Sequence, residues 1–299
     1  MTALSTRVAA SPLAECLLAW SADTLRDLPW RTTRDAWWIL VSETMLQQTQ
    51  VARVRGPFVA FVGRWPDAPS LAAARPAEVI DAWRGLGYNR RAVRLRACAQ
   101  AIVDRHHGLV PDDVAALLDL PGVGDYTARA VLAFAFERPV GVVDTNTARV
   151  LARAVAGHRL ARREAQILAD ELVPAGRSWA WNSAVLDLGA MVCTARHPAC
   201  DRCPLARSGT CAWVVAGRRE PDPAVGTAGA SGPQSRFGGS DRQGRGRLVA
   251  ELLRGPIGPR RWAVAAGWPG EQARAERVAG TLVGDGLAAV DDDGRLCLP

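Results

Sequence analysis

Apolar residues recur along this chain at helical spacing. Residues 11–26 set Leu13, Cys16, Leu17 and Trp20 on one side, which predicts an amphipathic helix stopped by Pro29. Residues 35–55 (DAWWILVSETMLQQTQVARVR) predict a strongly apolar helix and a turn, and 71–83 and 92–108 predict two more helices. Residues 120–146 open with Pro121-Gly122-Val123-Gly124, where glycine lets the backbone turn tightly and leaves its N–H groups uncovered. A helix follows with Ala128, Val131, Leu132 and Ala135 on one face, then the apolar run 139–143 and the carboxylate of Asp144. Helical spacing continues through 145–190, and no period-two strand pattern precedes residue 215.

The pattern then breaks. Residues 216–236 are rich in Gly, Pro, Ala and Ser and predict a flexible linker. Beyond it, DRQGRGRLVAELLR, RRWAVAAGW and GEQARAERVAGTLVGDGLAAV predict three helices, and DDDGRLCLP predicts a small hairpin. Together they describe a winged-helix-like module over 237–299. Such modules bind DNA or dock proteins, and the acidic run 291–293 on the wing weighs against phosphate contact there. The expected fold is mainly α, with a large helical domain over 1–215, the linker, and the small module. The sequence identifies no protein partner for that module.

The formal charge of +7 favours a polyanionic partner, nucleic acid being the commonest. All 37 basic Lys+Arg residues are arginine, so no side-chain amine is available for a Schiff base. No apolar run of transmembrane length and no secretory start are present, so no membrane partner and a cytoplasmic location are expected. Four of the seven cysteines, Cys193, Cys200, Cys203 and Cys211, fall close together. In a reducing compartment such a group points to metal, not disulfides. Zinc and an iron–sulfur cluster both take four thiolates, and spacing alone does not decide between them.

Several residues are placed for chemistry. Glu43 lies between Val41 and Met45 and near Trp37 and Trp38; apolar surroundings raise a carboxyl pKa and suit a general acid. The glycine turn at Gly122 and Gly124 precedes a helix N-terminus and suits a phosphate. The loop Gly85-Leu86-Gly87-Tyr88-Asn89-Arg90-Arg91, continued by Arg94 and Arg96, combines an aromatic with arginines and suits DNA backbone contact with stacking.

The motifs LPWR, SETMLQQTQV, GLGYNRRA, LPGVGDYTARAVLAFAF, VDTNTARVLAR, LDLGAMVC and the four-cysteine loop occur in one order over roughly residues 12–215. This set resembles the helix–hairpin–helix DNA glycosylase superfamily, and within it the MutY-type adenine DNA glycosylases. Endonuclease III-like relatives carry lysine where this chain has Tyr126, and tyrosine is the MutY pattern. The resemblance implies a two-lobed helical domain acting as a monomer on double-stranded DNA that holds a mismatch or lesion. It implies one [4Fe–4S] cluster on the four cysteines, with zinc less expected. It further implies excision of a flipped adenine opposite 8-oxoguanine or guanine, with Glu43 as acid and Asp144 facing the sugar cation. Tyr126 and Asn146 would position Asp144. Arg26, Leu28, Trp30 and Arg31 would line the base pocket. Leu46, Gln48, Thr49 and Tyr88 would fill the gap and read the opposing base, and Gly122 and Gly124 would hold phosphate.

Three features depart from the family pattern. Seven residues, not five, separate Cys203 from Cys211. Ser183 stands at a pocket position usually Gln or Glu. The large C-terminal domain that resembles a nucleotide hydrolase is expected to be replaced by the small module. Two alternatives stay open from sequence: a thymine or uracil mismatch glycosylase on the same scaffold, and a non-catalytic Fe–S protein that binds DNA.

Overall fold

The computed structural model describes residues 12–227 and 236–299. It divides into two compact units. The first holds the described parts of Met1–Ile39, Asp112–Val114 and Gly124–Pro233, and the second Leu40–Pro111, Ala115–Val123 and Gln234–Pro299.

In the first unit the Pro12–Thr24 helix packs on the Ser178–Met191 helix, which in turn packs on Thr145–Leu151. Their core joins Leu17, Val150, Trp181, Val185 and Leu188 to Leu205 and Trp213 of the cysteine segment. Leu17 is buried as expected, while Leu13, Cys16 and Trp20 are only half-buried and Ala14 and Ser21 take the inner positions. The Thr145–Leu151 helix continues into a π-helical turn, Ala152–Ala156, ended by Gly157 in the left-handed region.

In the second unit the Ala36–Leu46 helix, whose first turn belongs to the other unit, carries Glu43. The segment expected as one helix over 71–83 divides into Ala68–Ala72 and Pro76–Ala82. Arg75 is held extended because a residue before proline is kept out of the helical region. The Arg90–His106 helix ends where His107 and Gly108 both take positive φ.

The C-terminal helices Asp241–Leu252, Trp262–Ala266 and Gln272–Gly284 form, with a two-stranded hairpin pairing Ala289 with Cys297, the three-helix-and-wing arrangement read from sequence. Ser240 caps the first of these helices. Gly244 sits mid-helix because a Cβ there would fall 2.1 Å from the Trp268 ring. Arg295 pairs with Asp291 and Asp293, so the wing's acids are partly neutralised from within.

The expected boundaries hold only in part. The module does not keep a private core: Leu248, Leu252, Trp268, Val278 and Leu296 share a cluster with Ile80, and Val93 packs against it. Nor does the expected linker behave as one over 216–227. Asp222 is ion-paired with the fully buried Arg153, and Thr227 is buried with its hydroxyl accepting from Leu160 N. A Gly/Pro-rich composition predicts freedom only where no buried partner holds the chain. Residues 228–235 of the expected linker lie outside the described residues.

Candidate functional site

In the first unit, Asp144 is the N-cap of the Thr145–Leu151 helix. Its Oδ1 accepts from Asn146 N and Thr147 N, both at 2.8 Å, which satisfies two of the helix's orphan donors. Its Oδ2 accepts from Asn146 Nδ2 at 2.8 Å, so three donors fix the carboxylate. Asn146 is oriented in turn by Arg149, whose Nη2 donates to Asn146 Oδ1 at 2.8 Å. The same guanidinium donates to Gly189 O and Cys193 O, each at 2.7 Å. A hydrogen-bonded chain therefore runs from the Asp144 carboxylate to the backbone of the first clustered cysteine. Burial pulls the Arg149 pKa down from its ordinary value, with Arg153 adding to the effect and Cys193 and Asp144 opposing it. Gly189 must lack a side chain here, since a Cβ would lie 2.7 Å from Asn146 Cβ. Tyr126, near the start of the Asp125–Phe134 helix, is half-buried.

Arg26 and Arg31, expected to line the base pocket, converge on Asp187, whose side chain is fully buried. Arg31 donates to both carboxylate oxygens (2.6 and 2.9 Å), and Arg26 donates through its backbone N (2.8 Å) and Nε (2.7 Å). Burial by itself raises the Asp187 carboxyl; hydrogen bonds and charge from Arg31 and Arg26 outweigh it and hold the group below its ordinary value. A buried carboxylate demands cations, and the two nearest ones answer it. The pair fixes the loop on which Leu28 and Trp30 are buried. Ser183 is also buried, at 1% exposure, and its hydroxyl has no hydrogen-bond partner among the described residues.

The four cysteines line one pocket together with Arg153, Leu205 and Trp213. The two extra residues before Cys211 are taken up by a turn. Gly209 adopts φ +71°, and Thr210 N and Cys211 N both donate to Leu205 O. Arg153, itself 1% exposed, points Nη1 at Cys193 Sγ (3.5 Å) and donates to the carbonyls of Thr194 and Ala195. Backbone N–H groups approach Cys203 and Cys211. Burial pushes the Cys203 thiol up to about 11, so its thiolate needs positive charge nearby. Four thiols around one pocket, with cationic and N–H donors behind them, fit a cluster.

In the second unit Glu43 is buried at 6% exposure. The end of its helix is stapled by Arg91, a residue read from sequence as a DNA contact. Arg91 is buried and donates to Thr44 O, Met45 O and Gly87 O and to Thr49 Oγ1, all within 2.9 Å. Burial pushes its pKa down to about 10, which leaves it charged at neutral pH. Arg91 thus ties the Glu43 helix to the Tyr88 loop and takes up Thr49. Arg96 likewise donates to Ala74 O and Arg90 pairs with Asp285. Of the arginines expected on DNA, Arg94 remains exposed beside the hairpin. Gln48 and Tyr88 are exposed, both at positive φ, and Leu46 is half-buried. The hairpin turn is as expected. Gly122 has φ +83° and its absent Cβ would stand 3.1 Å from Arg94 Cβ; both Gly122 and Gly124 are exposed. Glu43 and Asp144 belong to different units.

The sequence reading missed Asp187, Arg149, Arg153 and Asp222. Asp187 stands inside a quoted motif, LDLGAMVC, where a lone charge in an apolar run was an available signal.

Residues 41–175 match the family described as HhH-GPD superfamily base excision DNA repair protein, and 193–208 match the iron–sulfur binding domain of endonuclease III. The chain is 45% identical to an adenine DNA glycosylase of Mycolicibacterium smegmatis, the match covering 94% of each chain. It is 44% identical to one of Mycobacterium tuberculosis, over 95% of this chain and 92% of that one. A thymine/uracil-DNA glycosylase of Methanothermobacter thermautotrophicus is 32% identical over 64% of this chain and 88% of the relative. Among solved structures, a thermostable thymine-DNA glycosylase superposes with a TM-score of 0.62 at 29% identity, covering 68% of this chain and 95% of that one. An endonuclease III–DNA complex superposes at 0.58 and 23% identity over 69% and 97%, which shows the shared fold. The carboxylate cap at Asp144, the hairpin and the cysteine pocket, with one [4Fe–4S] cluster as cofactor, therefore sit in a chain that belongs to the helix–hairpin–helix superfamily of base-excision DNA repair enzymes and, within it, to the MutY-type adenine DNA glycosylases, hydrolases of N-glycosidic bonds.

Proposed function

We propose that the chain acts as a monomer on duplex DNA and removes adenine mispaired with 8-oxoguanine or guanine, leaving an abasic site. Adenine is the base named for the mycobacterial relatives. The observation that carries the reading is the Asp144 carboxylate held by three donors in a chain that has no lysine. Such a carboxylate suits stabilisation of a sugar cation, and without a side-chain amine the reaction is hydrolysis, with no lysine-dependent strand cleavage.

The target adenine leaves the stack because its glycosidic bond is unreachable within it. Glu43 donates a proton to a ring nitrogen. The C1′–N bond then breaks, its electron pair passes to the base, and adenine departs neutral. The sugar becomes oxocarbenium-like, and Asp144 opposes the charge at short range, as the second carboxylate does in glycosidases. Water adds at C1′ and gives up a proton. Tyr126 and Asn146 orient Asp144, and Leu28 and Trp30 offer an apolar wall to the base. Gln48 and Tyr88 fill the vacated stack, with Leu46 and Thr49 beside the opposing base. The N–H groups at Gly122 and Gly124 hold phosphate. When bound, the [4Fe–4S] cluster supplies four iron–thiolate bonds that cross-link the Cys193–Cys211 segment. Arg26 and Arg31 act through Asp187, keeping the Trp30 loop in place.

The test is single-turnover excision on duplexes holding A:8-oxoG, A:G, T:G or U:G. Product strongest from A:8-oxoG supports the proposal. Product from T:G or U:G alone would move the chain to the activity named for the archaeal relative. Glu43→Gln and Asp144→Asn should each abolish excision while DNA binding persists.

A further inference from the structure

The helix that Asp144 caps fixes the chain after it. The chain before it, Val140 to Val143, belongs to no helix or strand, yet Gly141 and Val142 are buried. Buried backbone N–H and C=O groups must be paired, and here side chains pair them. Asn182, at 3% exposure, lays its amide along the run: Oδ1 accepts from Val142 N at 2.8 Å and Nδ2 donates to Val140 O at 3.0 Å. Gly141, between them, bonds to a second helix, Arg162–Glu171. Its N–H donates to Asp170 Oδ1 at 2.8 Å, and its carbonyl accepts from Gln166 Nε2 at 2.9 Å. Gln166 Nε2 also donates to Asp170 Oδ1 at 3.1 Å, and so does Arg129 Nη1 at 2.8 Å. The approach is close, since a Cβ at Gly141 would lie 2.5 Å from Ala169 Cβ. The run is thus paired as a strand is, with amide and carboxylate side chains in place of neighbouring strands. Asn182 stands about two helical turns before Gly189 on the Ser178–Met191 helix, so the two share a face. Gly189 reaches Asp144 through Arg149 and Asn146, and Asn182 reaches it through Val142. One helix therefore grips the chain on both sides of the carboxylate.

We propose that Asn182, supported by the Gln166–Asp170 pair, is a positioning residue of the excision reaction: it sets where the Asp144 carboxylate stands against the sugar, and acts on the sugar only through Asp144. Asparagine suits the task because its side chain offers an acceptor and a donor as a backbone amide does. Ser183, at the position expected to meet the base, is the next residue of the same helix. A single element therefore registers the base pocket against the carboxylate, and a loosened run lets the two drift apart. The proposal rests on the reading that Asp144 opposes the sugar cation, but not on which base is removed.

Excision is followed in single turnover at saturating enzyme, on whichever mispaired duplex the parent excises best. Binding is followed by fluorescence anisotropy on a duplex holding a tetrahydrofuran abasic analogue. Asn182→Ala strands Val140 O and Val142 N and should slow excision roughly 10- to 100-fold, with binding unchanged. Asp170, which is partly exposed, tests the same run from the other helix. Asp170→Leu removes the acceptor of Gly141 N and should also slow excision with binding kept. Asp170→Asn keeps an oxygen there and should excise close to the parental rate. Both Asp170 variants lose the ion pair with Arg129, so their difference reports the bond to Gly141 and not the charge. Leu17→Ala is the stability control, since the core cluster around Leu17 does not include 140–143. It should lower the thermal midpoint and still excise like the parent. Parental rates in both Asn182→Ala and Asp170→Leu, with Asp144→Asn inactive, overturn the proposal and leave the reading of Asp144 standing. An active Asp144→Asn overturns that reading and the proposal with it. A rate loss in Leu17→Ala equal to that in Asn182→Ala, or equal losses in the two Asp170 variants, overturns the proposal too, because destabilisation alone would then explain the effect.

Discussion

Replacing Arg149 by methionine would cut the hydrogen-bonded chain between the cysteine segment and Asp144. Methionine keeps the length and apolar stem of the side chain, so the change is mainly to the donors. Three acceptors lose a partner at 2.7–2.8 Å: Asn146 Oδ1, Gly189 O and Cys193 O. At about 1 kcal/mol for each stranded acceptor the gross loss is about 3 kcal/mol. Burial already disfavours the Arg149 charge, and relief of that cost brings the net loss to about 2 kcal/mol. The effect on rate comes by another route. Without Arg149 the Asn146 amide is free to rotate, and Asp144 loses one of its three fixed donors. A carboxylate misplaced by about 1 Å costs up to about 100-fold in rate. The assay is single-turnover excision at saturating enzyme, with urea unfolding and iron content measured on the same samples. Arg149→Lys, which keeps charge but cannot reach three acceptors, should fall between the parent and Arg149→Met. If iron-replete Arg149→Met excised at the parental rate, the positioning argument would be refuted.

Three further outcomes are expected. Asp187→Asn strands two guanidinium groups and should cost about 3 kcal/mol, the low end for a broken buried pair because Arg26 is partly exposed. The Asp187 carboxyl lies below its unfolded value of 3.8, so its stabilisation is complete above that pH and is lost as pH falls through the folded value. The stability difference between parent and Asp187→Asn, followed by urea unfolding from pH 7 to 3, should therefore shrink on the acid side; a constant difference would contradict this. Gly189→Ala should slow excision far more than it weakens DNA binding, because the new Cβ would overlap Asn146. Kinetics and anisotropy on one preparation separate the two. Asp222→Asn removes the carboxylate from Arg153 and should destabilise the cysteine pocket by about 3 kcal/mol, seen as faster loss of cluster absorbance on mild heating.

Features whose partners are close in sequence were legible from the chain alone. The hairpin needs only Gly122 and its neighbours. Asp144 is capped by donors two and three residues away, and the cysteines declare themselves by their grouping. Helical spacing likewise set most of the fold class, because amphipathic periodicity reports burial on a single element. The arginines were not legible. In composition all 37 look alike, yet Arg31 meets Asp187 across 156 residues, Arg153 meets Asp222 across 69, and Arg91 meets the carbonyls of Thr44 and Met45 more than 40 residues away. A guanidinium serves a carboxylate, a carbonyl or a phosphate according to what stands in front of it and whether water is excluded. Only the tertiary structure brings those acceptors up. It therefore decided which arginines hold the protein together and which stay exposed, and it joined the C-terminal helices to Ile80 where composition suggested a tethered module.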